Sequence, residues 1–442
     1  MTFSGGVHPP ERKALSADAP IEVMPQPREV IIPLQQHVGA PCEPTVKPKQ
    51  EVGYGDLIGK SDAFISARLH SPISGVVQRP VMTTLPNGRH MQAIHIKAVG
   101  KQFSAETMYR EFLAGDWPKD ISRFDPEEIT RAIQDAGIVG LGGAAFPTHV
   151  KITPQTKNSI DTLIVNGCEC EPYLTADDRL MREIPDTVVS GALLSARALG
   201  ADSIIIGIEA NKPEAIESMR GAAKGTRVRI VVLPTKYPQG SEKHLVKAVL
   251  GRTIPLGGLP ADANVSVSNV MTMAAVARAV VRNMPLTHRL ISVSGAGIVT
   301  PKNLLVPLGI TYREVIDFCG GLTDDAARII SGGPMMGFSF TDLDMPLTKG
   351  TSGITVLTRE DISKEERTAC VKCGRCVDVC PMRLVPARLA VASRFEDTKM
   401  ARRYRISACI ECGCCAYVCP ASIPLVQLIR MGKAKVAAEA KK

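Results

Sequence analysis

The 442-residue sequence has few aromatic side chains, no long apolar run and no leader-like start. Only 4% of its residues are aromatic, with one tryptophan, Trp117, which argues against a nucleic-acid-binding protein built on stacking platforms. The most apolar stretch, 265–281, contains Asn269, Thr272 and Arg278. We therefore expect a loop followed by a buried helix there, and no membrane span. The N terminus has no basic segment followed by an apolar one, so the sequence predicts no signal peptide and a cytoplasmic location.

The remaining bulk properties describe a multidomain chain. Its length corresponds to about three domains. The net charge of +9 is compatible with an acidic protein partner, an anionic cofactor or a membrane surface, and does not choose among them. The thirteen cysteines are not expected to form disulfides in a cytoplasmic protein.

Eight cysteines form two runs near the end of the chain, "CVKCGRCVDVCP" and "CIECGCCAYVCP", both with the spacing C-x2-C-x2-C-x3-C-P. This spacing is typical of bacterial ferredoxins with two [4Fe–4S] clusters, in which the fourth cysteine of each run binds the other cluster. The predicted ligand sets are Cys370, Cys373, Cys376 and Cys419 for one cluster, and Cys409, Cys412, Cys415 and Cys380 for the other. A pair of zinc knuckles is the alternative, but zinc sites usually combine two separated pairs of ligands. Cys414 lies outside the spacing and is interpreted as a spare thiol.

The cluster segment is also basic. From 361 to 442 it has about twice as many Lys and Arg as Asp and Glu. This excess is either an ordinary solvated surface or a means of offsetting cluster charge and steering an acidic electron carrier.

Residues 1–25 form a Pro-rich arm, and residues 26–105 read as short strands and turns. In the second segment, "VKPKQEVGYGDLIG" and "HSPISGVV" resemble the two halves of a lipoyl- or biotinyl-type barrel-sandwich. Such carrier domains display a lysine between the halves, whereas 61–71 contains none. We therefore expect a structural relative that carries neither lipoate nor biotin.

Residues 106–285 predict a Rossmann-like α/β domain. A helix begins at Asp125, which suits a cap, and Pro126, which suits the first helical position. Short apolar strands then alternate with helices, which predicts a parallel sheet covered on both faces. Ligands of such sheets bind beyond the carboxyl ends of the strands. The segment "NGCECEP", 166–172, follows one of these strands.

Residues 286–345 read as a small α+β module with a Gly-rich turn, "SGGPMMG". Cys319, on its helix, is expected to be a packing residue. Residues 346–442 make up the cluster domain.

The loop "GLGGAAFPTHVK", 140–151, is a second candidate ligand site. A Rossmann fingerprint requires a strand before the loop and a third glycine, but here a helix precedes it and Ala145 stands at the third position. Gly140, Gly142 and Gly143 still allow close backbone approach to a phosphate, and Lys151 supplies a positive charge.

These motifs resemble those of a known family. "GLGGAAFPTHVK", "NGCECEP", "YPQGSE" and "SNVMT" are similar, in order, to the flavin-binding loops of the flavoprotein subunit of respiratory complex I, and the module 286–345 resembles its soluble-ligand-binding β-grasp (SLBB) domain. The paired cysteine runs, the "FSGGVHPP" start and the lysine-free sandwich instead resemble the C subunit of the Rnf electron-transport complex. That resemblance covers nearly the whole chain.

The resemblance implies an FMN site and an adjoining NAD(H) site. FMN would be lined by Gly140, Gly142, Gly143, Lys151, Asn166, Glu169, Cys170, Tyr237, Gly240, Ser268, Asn269 and Thr272; the nicotinamide nucleotide would lie near Phe146, Glu171 and Glu242. Cys168 and Cys170 stand where complex I has aspartate and serine. These two thiols are interpreted as part of a flavin-facing loop. One alternative is that they bind a metal, for which His149 is the nearest additional donor in the sequence. The other is a purely structural loop without a ligand.

The resemblance further implies a peripheral, NAD-facing subunit on the cytoplasmic face of a membrane complex that couples NAD and ferredoxin redox chemistry to ion transport. Its partners would be integral membrane subunits and a ferredoxin-like iron–sulfur subunit, with ferredoxin reached indirectly and no nucleic acid involved. Three alternatives are a related corrinoid reductase, a soluble ferredoxin–NAD reductase, and a redox scaffold without enzymatic activity.

Overall fold

The computed structural model describes residues 2–153, 159–362 and 365–439. Four folded regions follow the N-terminal arm, and they correspond in kind to the barrel-sandwich, α/β, β-grasp and cluster domains predicted from the sequence. The fold class is therefore confirmed.

The barrel-sandwich is built from two small antiparallel sheets that enclose buried Val30, Ile58, Leu69 and Ile96. One sheet contains Glu29–Pro33, Glu51–Val52, Gly75–Val77, Val81–Thr84 and His90–Ala98; the other contains Glu43–Pro44, Leu57–Lys60 and Leu69–His70. The lysine-free segment 61–68 connects two strands of the second sheet and presents the exposed side chain of Phe64.

The α/β domain has a four-stranded, fully parallel sheet. Its strand order is Val228–Leu233, Ser203–Glu209, Thr162–Gly167, Val265–Asn269. The helices are Ala105–Phe112, Pro126–Asp135, Thr148–Ile152, Ala176–Glu183, Pro185–Leu199, Pro213–Ala223, Glu242–Leu250 and Val270–Arg282. As predicted, Asp125 caps its helix, accepting hydrogen bonds from the N–H groups of Glu127 and Glu128.

One expectation for this domain was wrong. Residues 265–269 are not a loop but the edge strand of the sheet, parallel to Thr162–Gly167. The alternation of valine and serine explains the strand, because Val265 and Val267 both point into a buried cluster with Leu245. The helix that follows, Val270–Arg282, is buried as expected and begins directly at the carboxyl end of this strand.

The β-grasp region has a six-stranded mixed sheet packed on the helix Tyr312–Phe318. The strand order is Ile21–Val23, Lys302–Pro307, His288–Ser294, Gly353–Thr358, Ala326–Ser331, Phe338–Phe340. The first of these strands comes from the N-terminal arm, and Gly353–Thr358 lies beyond residue 345. Cys319 is fully buried in this core, in agreement with a packing role.

The cluster region consists of short helices: Arg375–Asp378, Pro386–Arg394, Thr398–Arg403, Cys414–Tyr417 and Leu425–Glu439. Both cysteine runs have the same backbone turn. Lys372 and Glu411 have φ of 57° and 56°, and the glycines two residues later, Gly374 and Gly413, have φ of 81° and 86°. Equal spacing in the sequence thus produces equal local structure.

Across the described residues, no helix is both long and apolar enough to cross a membrane.

Candidate flavin and cluster sites

A cavity of about 300 Å³ lies at the carboxyl ends of the parallel strands. Most of the predicted cofactor-binding residues line it: Gly140, Gly142, Phe146, Lys151, Asn166, Glu169, Cys170, Glu171, Tyr237, Gly240, Glu242, Ser268 and Asn269. The wall is completed by Arg289, Met336 and Ser352 of the β-grasp region and by Ile410 and Cys412 of the cluster region. Three regions of the chain therefore meet around one cavity.

Two predicted residues are not among those that line the cavity. Thr272 is fully buried in the first turn of its helix, and its Oγ1 accepts a hydrogen bond of 2.9 Å from the N–H of Leu141. It therefore holds the Gly-rich loop in position. Gly143 lies on the exposed part of that loop with φ of 99°, a conformation that favours glycine.

Two lysines that the sequence did not indicate, the partly buried Lys13 and the buried Lys212, hold segment 166–172 through its backbone carbonyls. Lys13, on the N-terminal arm, donates from Nζ to the carbonyl oxygens of Glu169 at 2.8 Å and Glu171 at 3.0 Å. Lys212 donates from Nζ to the carbonyl of Cys168 at 2.6 Å. Burial opposes the charged form of Lys212, but the nearby carboxylates, chiefly Glu209, raise its pKa. No spacing pattern links position 13 or 212 with this loop.

Glu169 uses its carboxylate to cap the helix Ala176–Glu183. It accepts hydrogen bonds from the N–H of Asp177 at 2.7 Å and of Asp178 at 3.3 Å. Asp177 also lines the cavity, and its carboxylate accepts a bond of 2.7 Å from Asn269 Nδ2. Burial and then the charge of Glu169 raise the pKa of Asp177 to about 7. The cavity lining thus includes a carboxyl group whose pKa is raised by its surroundings.

Glu171 connects the loop to the β-grasp region. Its carboxylate accepts hydrogen bonds from the backbone N–H of Met335 at 3.1 Å and Met336 at 2.9 Å, within the predicted Gly-rich turn. A Cβ at Gly333 would lie 2.3 Å from Glu171 Oε2, so the turn must have glycine there to approach so closely. Burial raises the pKa of Glu171 to about 7, against the effect of the two N–H donors.

Lys151 was predicted to contact FMN, and Glu242 was predicted to lie near the nicotinamide nucleotide. Their side chains form an ion pair of 2.5 Å. Lys151 Nζ also donates to the carbonyl of Val267 at 3.1 Å. The positive charge of Lys151 is therefore already balanced at the cavity wall.

The two thiols of the loop have protein surroundings typical of neutral cysteines. Cys168 is fully buried with its Sγ 3.8 Å from the carbonyl of Gly207, while Cys170 lines the cavity. Burial raises the pKa of both thiols, that of Cys170 to about 12. His149, the nearest additional donor, instead forms a 3.2 Å hydrogen bond through Nε2 with the carbonyl of Phe64.

Within the part of the chain that the structure describes, no three His, Cys, Asp or Glu side chains converge on a single metal ion. In a [4Fe–4S] cube each cysteine thiolate binds a different iron, so the four cysteine sulfurs stand further apart than the ligands of a single zinc ion. The four cysteines of the second predicted set, Cys380, Cys409, Cys412 and Cys415, line one small apolar cavity together with Cys414. Cys376 and Cys419 pack beside Cys415, and Cys370 and Cys373 are exposed.

The cluster loop and the flavin cavity are in direct contact. The hydroxyl of Tyr237 donates a 2.7 Å hydrogen bond to the backbone carbonyl of Cys412. The N-terminal arm reinforces this junction, since Val7 pairs with Tyr237 and the N–H of Gly6 donates to the carbonyl of Val379 at 2.8 Å. The "FSGGVHPP" start therefore joins the two regions.

The cavity has the chemistry of a ligand site. Thr148 Oγ1 and Arg289 Nη1 are buried without a hydrogen-bond partner among the described residues, and both residues line the cavity. Buried polar atoms are normally paired. A polar ligand such as FMN, with phosphate, ribityl and ring acceptors, fits these groups.

Comparisons with known proteins agree with this architecture. Family models match a Nuo51 FMN-binding domain at 133–278, an RnfC barrel-sandwich hybrid domain at 1–101, an SLBB domain at 290–339 and a 4Fe-4S dicluster domain at 362–420. A solved chain of an NAD+-reducing [NiFe]-hydrogenase shares the fold, with a TM-score of 0.53, 21% identity, and coverage of 74% of this chain and 66% of the other. The fold and its sites thus define an iron–sulfur flavoprotein.

Curated relatives narrow this class to a family. The chain is 46% identical to the C subunit of the proton-translocating ferredoxin:NAD(+) oxidoreductase complex of Clostridium ljungdahlii, over 88% of this chain and 84% of the relative. It is 42% identical to the C subunit of the ion-translocating oxidoreductase complex of Rhodobacter capsulatus, over 99% and 83%. The Na(+)-translocating counterpart of Acetobacterium woodii is 39% identical, over 89% and 87%. The chain belongs to this family of C subunits, the RnfC family, as its motifs predicted.

Proposed function

We propose that this chain is the NAD(H)-facing subunit of a membrane-bound, ion-translocating ferredoxin:NAD+ oxidoreductase. FMN would occupy the cavity at the end of the parallel sheet, and the two cysteine runs would hold two [4Fe–4S] clusters. The observation that carries the proposal is the meeting of both sites: Cys412 lines the cavity, and Tyr237 hydrogen-bonds its carbonyl. A flavin and a cluster held this way are near neighbours in one chain.

When bound, FMN would supply the exchange between a two-electron hydride and single electrons. The protein would position the cofactor and set its electrostatic environment. Asn166 donates from Nδ2 to the carbonyl of Gly240 at 2.8 Å, joining the end of the strand Thr162–Gly167 to a loop that also lines the cavity. Cys170 and Tyr237 form the side toward the cluster, and Phe146, Glu171 and Glu242 are proposed to meet the nicotinamide nucleotide.

The burial of the cysteine runs supports an order for the clusters. The set Cys409, Cys412, Cys415 and Cys380 would be the inner cluster, next to the flavin. The set with exposed Cys370 and Cys373 would be the outer cluster, which exchanges electrons with a partner. Partners would include integral membrane subunits, which contain the ion path, and a ferredoxin-like iron–sulfur subunit, at the cytoplasmic face of the membrane.

Anaerobic reduction of the full chain tests this function. We expect one non-covalent FMN and about eight iron and eight sulfide per chain. NADH should bleach the flavin absorbance in stopped-flow experiments, and cluster EPR signals should follow. A chain that binds no flavin, or a flavin that NADH leaves oxidised, would contradict the proposal and favour a redox scaffold.

A further inference from the structure

We infer that Arg289, which belongs to the β-grasp region, binds the phosphate group of FMN and so makes the flavin a link between that region and the α/β domain. The inference rests on the proposed FMN site and adds a residue that lies outside the FMN-binding domain match at 133–278.

Arg289 is the largest fully buried side chain of the described residues, with 1% exposure. Its Nε donates to the carbonyl of Thr351 at 2.6 Å, and its Nη2 donates to the carbonyl of Leu141 in the Gly-rich loop. Its Nη1 is buried, without a partner among the described residues, and the side chain lines the cavity. Leaving a buried charged donor unpaired is costly, so the cavity is expected to supply an acceptor.

The available acceptor should be an anion. Lys151, the other basic residue on the lining, is already paired with Glu242. Arg289 forms no ion pair with any described carboxylate at 4.0 Å or less, and the nearby Asp177 accepts a hydrogen bond from Asn269. The guanidinium fork is suited to two oxygens of one phosphate.

The 13-residue helix Val270–Arg282 begins at the same cavity, which Asn269 and Met271 line together with Arg289. The Asn269 side chain caps it by accepting from the N–H of Met271 at 2.8 Å, and Thr272 in its first turn holds the N–H of Leu141. Leu141 thus connects the helix start to Arg289. A helix N-terminus and a buried cation that face one cavity together favour a phosphate.

Comparing FMN with riboflavin tests the inference, because riboflavin lacks only the phosphate. The full chain with its clusters, stripped of flavin, is titrated with each compound by calorimetry. We expect Arg289→Met to weaken FMN binding by about tenfold or more, the scale of a charge-assisted hydrogen bond, and to change riboflavin binding little. Arg289→Gln should reduce the preference for FMN in the same way.

Arg278→Met is the matched control. Arg278 is also buried, donating to the carbonyl of Phe112 at 3.1 Å, but it does not line the cavity. This variant should keep the wild-type preference for FMN over riboflavin even if it is less stable. Equal losses for both flavins in Arg289→Met, or an unchanged preference in Arg289→Gln, would overturn the phosphate contact while leaving the FMN site intact. A wild-type chain that binds neither flavin would overturn the proposed function as well.

Discussion

The two cysteine runs have the same spacing and the same backbone turn, but the second run is more buried than the first at the loop positions from its first to its third ligand cysteine. In the first run Cys373 and Arg375 are exposed, and a Cβ on Gly374 would meet nothing within 4 Å. In the second run the equivalent residues Cys412 and Cys414 are buried, and a Cβ on Gly413 would lie 2.6 Å from the carbonyl oxygen of Met335. The local motif determines what each loop can bind, and the packing around it determines what each cluster can reach.

The environment of the second run includes groups from three other parts of the chain. Tyr237 comes from the α/β domain, Val7 from the arm and Met335 from the β-grasp turn. Glu171 bonds the N–H groups of that turn, which connects the flavin loop to the same junction. On the proposed function, a buried inner cluster and an exposed outer cluster would form a directional path.

The comparison is tested most strongly by removing one cysteine from each run. Cys412→Ser and Cys373→Ser should each lower the iron content from about eight to about four atoms per chain. Their redox behaviour should differ, because only Cys412 lies beside the flavin cavity. In Cys412→Ser, NADH should bleach the flavin without producing a reduced-cluster EPR signal. In Cys373→Ser one cluster should still be reduced.

Identical EPR behaviour of these two variants would contradict the proposed order. Cluster reduction by NADH in Cys412→Ser at the wild-type rate would indicate that the outer cluster accepts electrons from the flavin directly.

Gly374→Ala and Gly413→Ala form the next matched pair. Both place Ala at a positive φ, so both carry a similar backbone strain. Only Gly413→Ala also forces its Cβ against the Met335 backbone, so we expect it to be less stable than Gly374→Ala by roughly 1–3 kcal/mol, as for overpacking. Thermal unfolding of the cluster-loaded chains measures the difference. Equal stability would mean that the second run is not packed against the β-grasp turn.

Tyr237→Phe tests the same comparison of the two cysteine runs through a variant with a smaller expected effect. It removes one hydrogen bond to Cys412, and a bond of this kind contributes about 0.5–1.5 kcal/mol. We expect iron and flavin contents to stay at wild-type levels while the flavin-to-cluster step in stopped-flow reduction slows. Tyr417→Phe, on an exposed side chain of the same run, is the control and should behave like the wild type.

Sequence patterns predicted the parts of this molecule that depend on local chemistry. Regular cysteine spacing predicted both cluster loops, and alternating β and α segments predicted the parallel sheet and the edge at which the cavity lies. The strand 265–269 was missed, although its alternation of valine and serine suits an edge strand, whose alternate positions accept polar residues.

The long-range contacts of the site were not predictable in this way. Lys13, Lys212 and Arg289 are separated from the loops they contact by 44 to 158 residues. None of the three lies within a motif that predicts such a contact, and its role appears only when the fold brings it against a carbonyl. The same limit applies to Lys151 and Glu242, whose pairing at 2.5 Å depends on how the helices Thr148–Ile152 and Glu242–Leu250 approach each other.

Cys414→Ser should have the smallest effect and is the most direct test of the spacing itself. Cys414 is fully buried within the second run and lies at the position that Arg375 occupies in the first. Because an exposed arginine occupies this position in a loop of the same conformation, the cube does not need a thiol there. We expect full iron and sulfide contents, wild-type reduction by NADH, and a stability loss of about 1 kcal/mol, the typical effect of a single substitution. Iron and sulfide analysis with EPR makes the measurement, and Cys415→Ser serves as the matched change one residue away. Loss of about four iron atoms in Cys414→Ser but not in Cys415→Ser would move the third ligand of the inner cluster to 414 and break the equivalence of the two runs.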